Sequence, residues 1–96
     1  MKIKTSESEK EIVIALEGWL DTQATPELTL LLEKLELDDR TLVLDLKDLE
    51  YISSSGVRQV VFAHKKANGN FVVRNTPENI FNVFSATGID KRVNFE

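Results

Sequence analysis

The sequence contains no cysteine, and it has only one histidine, one tryptophan and two prolines among its 96 residues. The absence of cysteine excludes disulfide bridges, thiolate metal ligands and cysteine nucleophiles, and it is compatible with a reducing compartment. Long apolar runs are also missing, since a run such as residues 12–16 is far shorter than the roughly 20 residues that span a bilayer. We therefore expect a hydrophobic core to supply the stability, and no membrane-spanning segment.

An excess of basic charge is absent as well. Lysine and arginine together number 12 against 16 acidic residues, which gives a net charge of −4 and an isoelectric point near 5.0. This balance argues against binding to nucleic acid phosphates and favours a protein partner. The first ten residues are polar beyond Lys4 and lack the apolar stretch of a signal peptide, so we expect a cytoplasmic protein.

Length and composition indicate one domain spanning residues 1–96. Hydrophobic residues make up 42% of the chain and charged residues 29%, which is ordinary for a globular protein. There is no internal repeat and no linker rich in proline, glycine or serine. A chain of this length supports one hydrophobic core.

Several short segments have the composition of β-strands. Residues 11–17 are apolar on both alternations, which predicts a strand covered on both faces, and residues 42–46 show the same pattern. Residues 71–73 predict a third buried strand, and residues 93–95 predict a short last strand. Residues 2–5 alternate more weakly before a polar turn, which predicts an N-terminal edge strand.

Three helices are predicted between these strands. The first, residues 26–37, follows the capping pair Thr25-Pro26, and the third follows a second such pair, Thr76-Pro77. The second begins among three consecutive serines, and Gly88 suits a left-handed end of the third. Apolar residues and one histidine recur at helical spacing and predict the buried faces: Leu28, Leu31, Leu32 and Leu35; Val57, Val60, Val61 and His64; Ile80, Phe81 and Phe84.

The alternation of strands and helices predicts an α/β fold. Right-handed crossovers would build a mostly parallel sheet of four to five strands, with the N-terminal edge strand antiparallel. In such sheets, ligands and partners meet the loops at the carboxyl ends of the strands. Residues 18–23 and 50–56 are predicted to be two of these loops, and both could lie on one edge of the sheet.

The most informative segment is Ser53, Ser54 and Ser55 followed by Gly56 and a helix. A phosphate on a serine at a helix start is stabilised by unpaired N–H groups and by the helix dipole. Such a phosphate adds about 1.5 to 2 negative charges to the surface without melting the helix. Serines before a helix are more often simple capping and turn residues, so these residues alone leave both interpretations open.

Three segments together resemble one known family. The central one is LVLDLKDLEYISSSGVRQVVFAHKKA, residues 42–67, and the others are Gly18-Trp19-Leu20-Asp21 and Thr87-Gly88-Ile89-Asp90. Their order and content resemble STAS domains, in which an apolar strand ends in Asp-Leu and leads into Asp-Ser-Ser-Gly and a helix. The resemblance implies the STAS fold and the function of an anti-sigma factor antagonist.

The resemblance also implies roles for individual residues. Antagonists of this family are phosphorylated on the serine after the motif's aspartate, a position that Ser54 occupies here, by a partner that is both serine kinase and anti-sigma factor. The aspartate itself is replaced by Ser53. The implied function is a non-enzymatic, cofactor-free regulator of transcription. Its expected partner-binding residues are Asp21, Trp19, Ser53, Ser55, Gly56 and Arg58.

Two other functions stay open from the sequence. The first is a constitutive STAS-type adaptor in a larger assembly, which the missing aspartate would fit. The second is a small flavodoxin-like hydrolase or nucleotide-binding enzyme that uses Ser54, His64 and Asp45. The sequence opposes the enzyme, because Ser-Ser-Ser-Gly is neither a nucleophile elbow nor a phosphate loop.

Three of the polar and aromatic residues have alternative interpretations. Asp45 is interpreted as a strand-end aspartate that accepts hydrogen bonds from nearby N–H groups, and Asp21 has either that role or a partner contact. Trp19 is either an exposed anchor for a partner or a buried cap over the sheet.

Overall fold

Strands and helices alternate along the chain in the computed structural model, which describes all 96 residues. The strands are β1 (Lys2–Glu7), β2 (Glu11–Leu20), β3 (Thr41–Ile52), β4 (Phe71–Arg74) and β5 (Asn94–Phe95). The helices are α1 (Thr25–Lys34), α2 (Ser54–Lys66) and α3 (Glu78–Thr87), and a 3₁₀ turn at Ile89–Lys91 precedes β5. None of the helices combines the length and apolar character that a membrane span requires.

The five strands form one sheet in the order β1-β2-β3-β4-β5. β1 pairs antiparallel with β2, and all the other neighbours are parallel. This arrangement confirms the predicted α/β class and the antiparallel N-terminal edge strand.

One face of the sheet carries the core. Each crossover moves the chain one strand further in the same direction, so right-handed connections place α1, α2 and α3 on the same side. Residues from this face and from all three helices form one buried cluster, which includes Ile12, Ile14, Leu42, Leu44, Phe71, Val73, Leu28, Leu32, Val57, Val60, Ile80 and Phe84. The predicted helical stripes therefore point into the core at these positions.

The opposite face, which we call the open face, has no helix over it. Val13, Val43 and Val72 are neighbours across three strands on this face. Val43 is buried between its neighbours, whereas Val13, Ala15 and Val72 are only half-buried. The prediction that β2 is covered on both faces is therefore wrong. Because every crossover runs in the same direction, no segment returns to cover the second face.

The strands β2 and β3 are longer than the sequence predicts. They continue to Leu20 and Ile52, so residues 18–20 and 50–52 belong to strands and not to loops. Two register shifts, between Ala15 and Glu17 and between Gly18 and Trp19, keep the two strands paired. Such bulges interrupt the alternation of polar and apolar residues along a strand. For this reason the residue pattern does not predict that β2 and β3 continue to Leu20 and Ile52.

Two predicted capping residues have other roles. Thr25 lies inside α1, and its hydroxyl donates to the carbonyl oxygen of Thr22 at 3.0 Å. Thr76 does not cap α3, because Pro77 occupies the cap position, and the buried hydroxyl of Thr76 makes no hydrogen bond.

The ends of two helices also bear on the predictions. α1 stops at Lys34 and not at residue 37, since Leu35 is extended. The predicted left-handed end of α3 is confirmed at Gly88, whose φ is 79°.

Replacing Phe84 with alanine should destabilise the protein by about 3–5 kcal/mol, because this side chain is fully buried between α3 and the sheet. Phe62→Ala is the matched control, since Phe62 is only partly buried against the same core. Urea unfolding followed by circular dichroism measures both. An equal loss of free energy of unfolding in the two variants would contradict the assignment of the core.

Candidate functional site

The candidate site lies where β2 and β3 end and α2 begins. The loop after β2 and the first turn of α2 meet through a hydrogen bond between the hydroxyl oxygens of Thr22 and Ser55, which are 3.2 Å apart. A second hydrogen bond of 2.9 Å joins Ser55 to the Ser53 hydroxyl. We call Thr22, Ser53 and Ser55 the hydroxyl cluster. The predicted meeting of the two loops at one edge of the sheet is confirmed.

Ser53 is the N-cap of α2. Its hydroxyl oxygen accepts a hydrogen bond from the Gly56 N–H at 3.1 Å, and its backbone is extended, as an N-cap requires. The same residue binds β2 twice, because its N–H and its hydroxyl both donate to the carbonyl oxygen of Leu20, at 3.0 and 3.3 Å. Ser53 therefore fixes the start of the helix against the end of the neighbouring strand.

Gly56 occupies a position where no side chain fits. A Cβ atom there would lie 2.7 Å from the carbonyl oxygen of Leu20 and 2.8 Å from Cγ1 of Ile52. The lack of a side chain allows the first turn of α2 to approach β2 and β3 this closely. Gly56 is buried, so its position in the site is structural.

Ser54 is the first residue of α2 and is exposed to solvent. The hydrogen bonds of this turn are made by Ser53, Ser55 and Gly56, which leaves the Ser54 hydroxyl directed at solvent. The N–H groups of Ser54 and Ser55 have no intrahelical acceptor, because they lie in the first turn. Arg58 follows one turn later and is also exposed. An anion on Ser54 would therefore meet free donors and the positive end of the helix dipole.

Asp21 and Asp45 both have structural hydrogen bonds. One carboxylate oxygen of Asp21 accepts from the Ala24 N–H at 2.9 Å and shapes the turn before α1. Asp45 Oδ1 accepts from the Lys47 N–H at 3.0 Å and from the Asn75 side-chain amide at 3.3 Å. These contacts are those of aspartates that satisfy nearby N–H groups, as interpreted for Asp45.

The structure does not bring the residues of the hypothetical enzyme together. Ser54 and His64 lie ten residues apart along α2, which corresponds to about 15 Å along the helix axis. His64 is half-buried, and its ring packs edge-on against Phe71 at a centroid distance of 6.1 Å. His64 therefore cannot act as the general base for Ser54.

Trp19 is exposed and does not cap the core. Its side chain is 56% exposed, and its ring stacks at a tilt on Tyr51, which is 43% exposed, with centroids 5.0 Å apart. The two residues are direct neighbours in the β2–β3 pairing. Their chain neighbours Leu20 and Ile52 are buried in the core, so Trp19 and Tyr51, the aromatic pair, lie on the open face.

The sequence prediction missed two residues of this region, Thr22 and Tyr51. The predicted loop at residues 50–56 includes Tyr51, whereas the pairing of Tyr51 with Trp19 requires β3 to continue through it. Thr22 directly follows the Gly-Trp-Leu-Asp segment, and only the folded chain places it beside Ser55.

Comparison with known families decides what kind of domain this is. The model of the family described as the STAS domain matches residues 2–96. The chain belongs to the STAS domain family. No functionally curated protein matches the sequence.

Solved structures of STAS proteins share this fold. An anti-sigma factor antagonist from Mycobacterium paratuberculosis superimposes with a TM-score of 0.87 at 21% identity, over 98% of this chain and 83% of the other. The cell fate determinant SpoIIAA from Bacillus, in its phosphorylated form, gives a TM-score of 0.74 at 18% identity, over 99% and 91%. A STAS domain protein from Planctomyces limnophilus gives 0.81 at 16% identity, over 97% and 87%.

These comparisons confirm the predicted fold, including the antiparallel edge strand. The STAS fold of anti-sigma factor antagonists is generally a binding module and not an enzyme. This STAS domain carries the hydroxyl cluster, Ser54 and the aromatic pair at the same end of its sheet.

Gly56→Ala should destabilise the domain by about 1–3 kcal/mol through overpacking against Leu20 and Ile52. The direction of the change in the free energy of unfolding is informative, because helix propensity alone would make alanine more stabilising than glycine by about 1 kcal/mol. Arg58→Ala, at an exposed position of the same helix, should change stability by less than about 0.5 kcal/mol. Thermal and urea unfolding test both. A Gly56→Ala variant as stable as the parent would contradict the close approach.

Ser53→Ala should lower the free energy of unfolding by about 1 kcal/mol, because the variant cannot accept the hydrogen bond from the Gly56 N–H. Ser53→Asp should lose less than Ser53→Ala, since aspartate is an equally good N-cap but cannot replace the hydroxyl that donates to the carbonyl oxygen of Leu20. Ser54→Ala is the control, because the Ser54 side chain is exposed. If Ser53→Ala and Ser54→Ala lost the same free energy in urea unfolding, the capping role would be wrong.

Proposed function

We propose that this STAS domain is an anti-sigma factor antagonist whose binding is controlled by phosphorylation of Ser54. In the unmodified form it binds an anti-sigma factor that is also a serine kinase, in the cytoplasm, and so releases a sigma factor for transcription. Phosphorylation of Ser54 ends this binding. The protein performs no catalysis and requires no cofactor.

The position of Ser54 is the observation that carries this proposal. Its hydroxyl is exposed at the first residue of α2, whereas Ser53 and Ser55 on either side are held in the hydroxyl cluster. A kinase could therefore reach Ser54 without unfolding the helix start. The phosphorylated form of SpoIIAA from Bacillus, which has a similar fold, is consistent with such a modification in this family.

The physical effect of the phosphate would be local. The phosphate oxygens that face α2 would be stabilised by the N–H groups of the first turn. Arg58, four residues later on the same helix, could approach the same oxygens. The fold would persist, but an exposed polar surface would gain about 1.5 to 2 negative charges. A partner that packs tightly on this turn would be repelled by the added bulk and charge.

A constitutive adaptor is the second candidate, and the observation that favours it is Ser53. This residue stands where the family pattern has an aspartate, and here it serves as the cap of α2. Serine maintains the cap while it removes one acidic neighbour of Ser54. A domain that had lost recognition by a kinase would keep this fold and the same partner surface.

The test is incubation with ATP and each anti-sigma-type kinase from the same genome, followed by intact mass measurement and a binding assay. We expect the parent to gain one phosphate, Ser54→Ala to gain none, and Ser54→Asp to lose most of its binding to the kinase. Ser85→Ala is the matched control, since Ser85 is an exposed serine on α3. It should behave as the parent does.

Ser53→Asp separates the two candidate functions. If the kinase recognises an acidic residue next to Ser54, Ser53→Asp should be phosphorylated faster than the parent. If the parent and Ser53→Asp both stay unmodified and still bind a partner, the adaptor is the correct function. A phosphate on Ser53 or Ser55 would show that the assignment of Ser54 is wrong.

A further inference from the structure

The loop that joins α2 to β4 contains the only Asn-Gly pair in the sequence, Asn68-Gly69. The side-chain carbonyl carbon of an asparagine can be attacked by the backbone nitrogen of the next residue. Glycine permits this attack best, because it has no side chain to obstruct the approach. Every other asparagine precedes a larger residue: Asn70, Asn75, Asn79, Asn82 and Asn94. Asn68 is therefore the asparagine most open to this reaction.

The surroundings of this pair leave room for the reaction. Asn68 and Gly69 are both exposed to solvent. A Cβ atom placed on Gly69 would have no other heavy atom within 4 Å, so no neighbouring group blocks the space beside its nitrogen. Asn70 differs, because its side-chain oxygen accepts a hydrogen bond from the Thr41 hydroxyl at 3.0 Å.

The backbone of the same two residues ends α2. Asn68 is left-handed, with a φ of 53°, and its N–H donates to the carbonyl oxygen of Lys65 at 3.0 Å. The Gly69 N–H donates to the carbonyl oxygen of His64, also at 3.0 Å. These two bonds and the left-handed residue form a Schellman motif. The nitrogen that would attack Asn68 is thus held at the end of the helix.

The reaction needs no group from outside the protein except water. The Gly69 nitrogen gives up its proton and forms a bond to Cγ of Asn68. The bond from Cγ to the side-chain nitrogen breaks, and ammonia leaves. Water then opens the resulting succinimide ring at one of its two carbonyl carbons, which gives aspartate or isoaspartate. The proton that must leave first is the one that is hydrogen-bonded to His64.

We propose that Asn68 is a deamidation site whose rate is controlled by the C-terminal end of α2. The Schellman motif protects Asn68, because the Gly69 N–H is engaged while the last turn is closed. The reaction proceeds when this turn opens, and the end of a helix opens at a lower free energy than the whole domain. Ser54 lies at the other end of α2, so the proposal does not depend on phosphorylation or on a partner.

Either product would loosen the junction between α2 and β4. Aspartate at position 68 places a negative charge at the negative end of the helix dipole. Isoaspartate lengthens the main chain by one atom, which shifts the bonds that close the helix. The same loop contacts β3, because the Leu42 N–H donates to the carbonyl oxygen of Asn70 at 3.0 Å. Because ammonia is lost, modified molecules accumulate with time.

The test compares the folded protein with the peptide acetyl-Lys-Ala-Asn-Gly-Asn-Phe-amide, which has the sequence of residues 66–71. Both are incubated at the same mildly alkaline pH and temperature, and modification is followed by intact mass and peptide mapping. We expect the protein to be modified at Asn68, about tenfold or more slowly than the peptide.

Hydrogen exchange of the Gly69 amide, measured by NMR, provides an independent check. Exchange and deamidation remove the same proton after the same opening. The slowing of deamidation should therefore match the protection of this amide within about threefold. A larger disagreement between the two would contradict control by the Gly69 hydrogen bond.

Variants then locate the opening. Lys66→Gly lowers the helix propensity of the last turn and removes the hydrogen bond from Nζ of Lys66 to the carbonyl oxygen of Glu33, so it should speed deamidation about threefold. Lys34→Gly is the matched control, since Lys34 is the exposed last residue of α1. It should leave the rate unchanged. Asn68→Gly, which suits the left-handed position, should fold and stay unmodified.

Four outcomes would overturn the proposal. Equal rates in the folded protein and the peptide would show that the helix end gives no protection. Equal acceleration in Lys66→Gly and Lys34→Gly would show that the reaction requires unfolding of the whole domain. Earlier modification of another asparagine would show that the assignment of Asn68 is wrong. An unmodified Lys66→Gly variant after complete conversion of the peptide would exclude the site.

Discussion

The carbonyl oxygen of Leu20, at the end of β2, is the point on which the functional end of this domain depends. It accepts hydrogen bonds from the N–H and the hydroxyl of Ser53, and Gly56 packs directly against it. These contacts place the first turn of α2 against two strands at once. Because Ser53, Ser55 and Gly56 make the contacts with the strands and the loop, Ser54 is left exposed to solvent. A modification of Ser54 would therefore alter the surface and not the fold.

The direction of the crossovers is the second constraint. Successive strands add to one side of the sheet, so the helices all cover one face and the other face stays open. The consequence is a domain with two different surfaces at the same end. The helix start carries the hydroxyl cluster, while the open face carries the aromatic pair.

Prediction from the sequence succeeded where local patterns and tertiary packing agree. The left-handed Gly88 and the helix start at the serines follow from local backbone requirements, and the order of strands and helices follows from apolar periodicity. It failed where a neighbouring element changed the local preference. Thr25 resembles an N-cap, yet Asp21 already binds the N–H groups at the start of α1, so the Thr25 hydroxyl lies inside the helix instead.

The sequence by itself determined the α/β class, most of the buried helix positions and the start of α2 among the three serines, because each depends on spacing along one segment. Only the tertiary structure decided that Ser53 caps α2 against Leu20 and that Trp19 is exposed beside Tyr51. These features join segments about 30 residues apart or depend on which face of the sheet is covered. No local pattern of residues carries that information, since it arises from the handedness of the crossovers and from the register of β2 and β3.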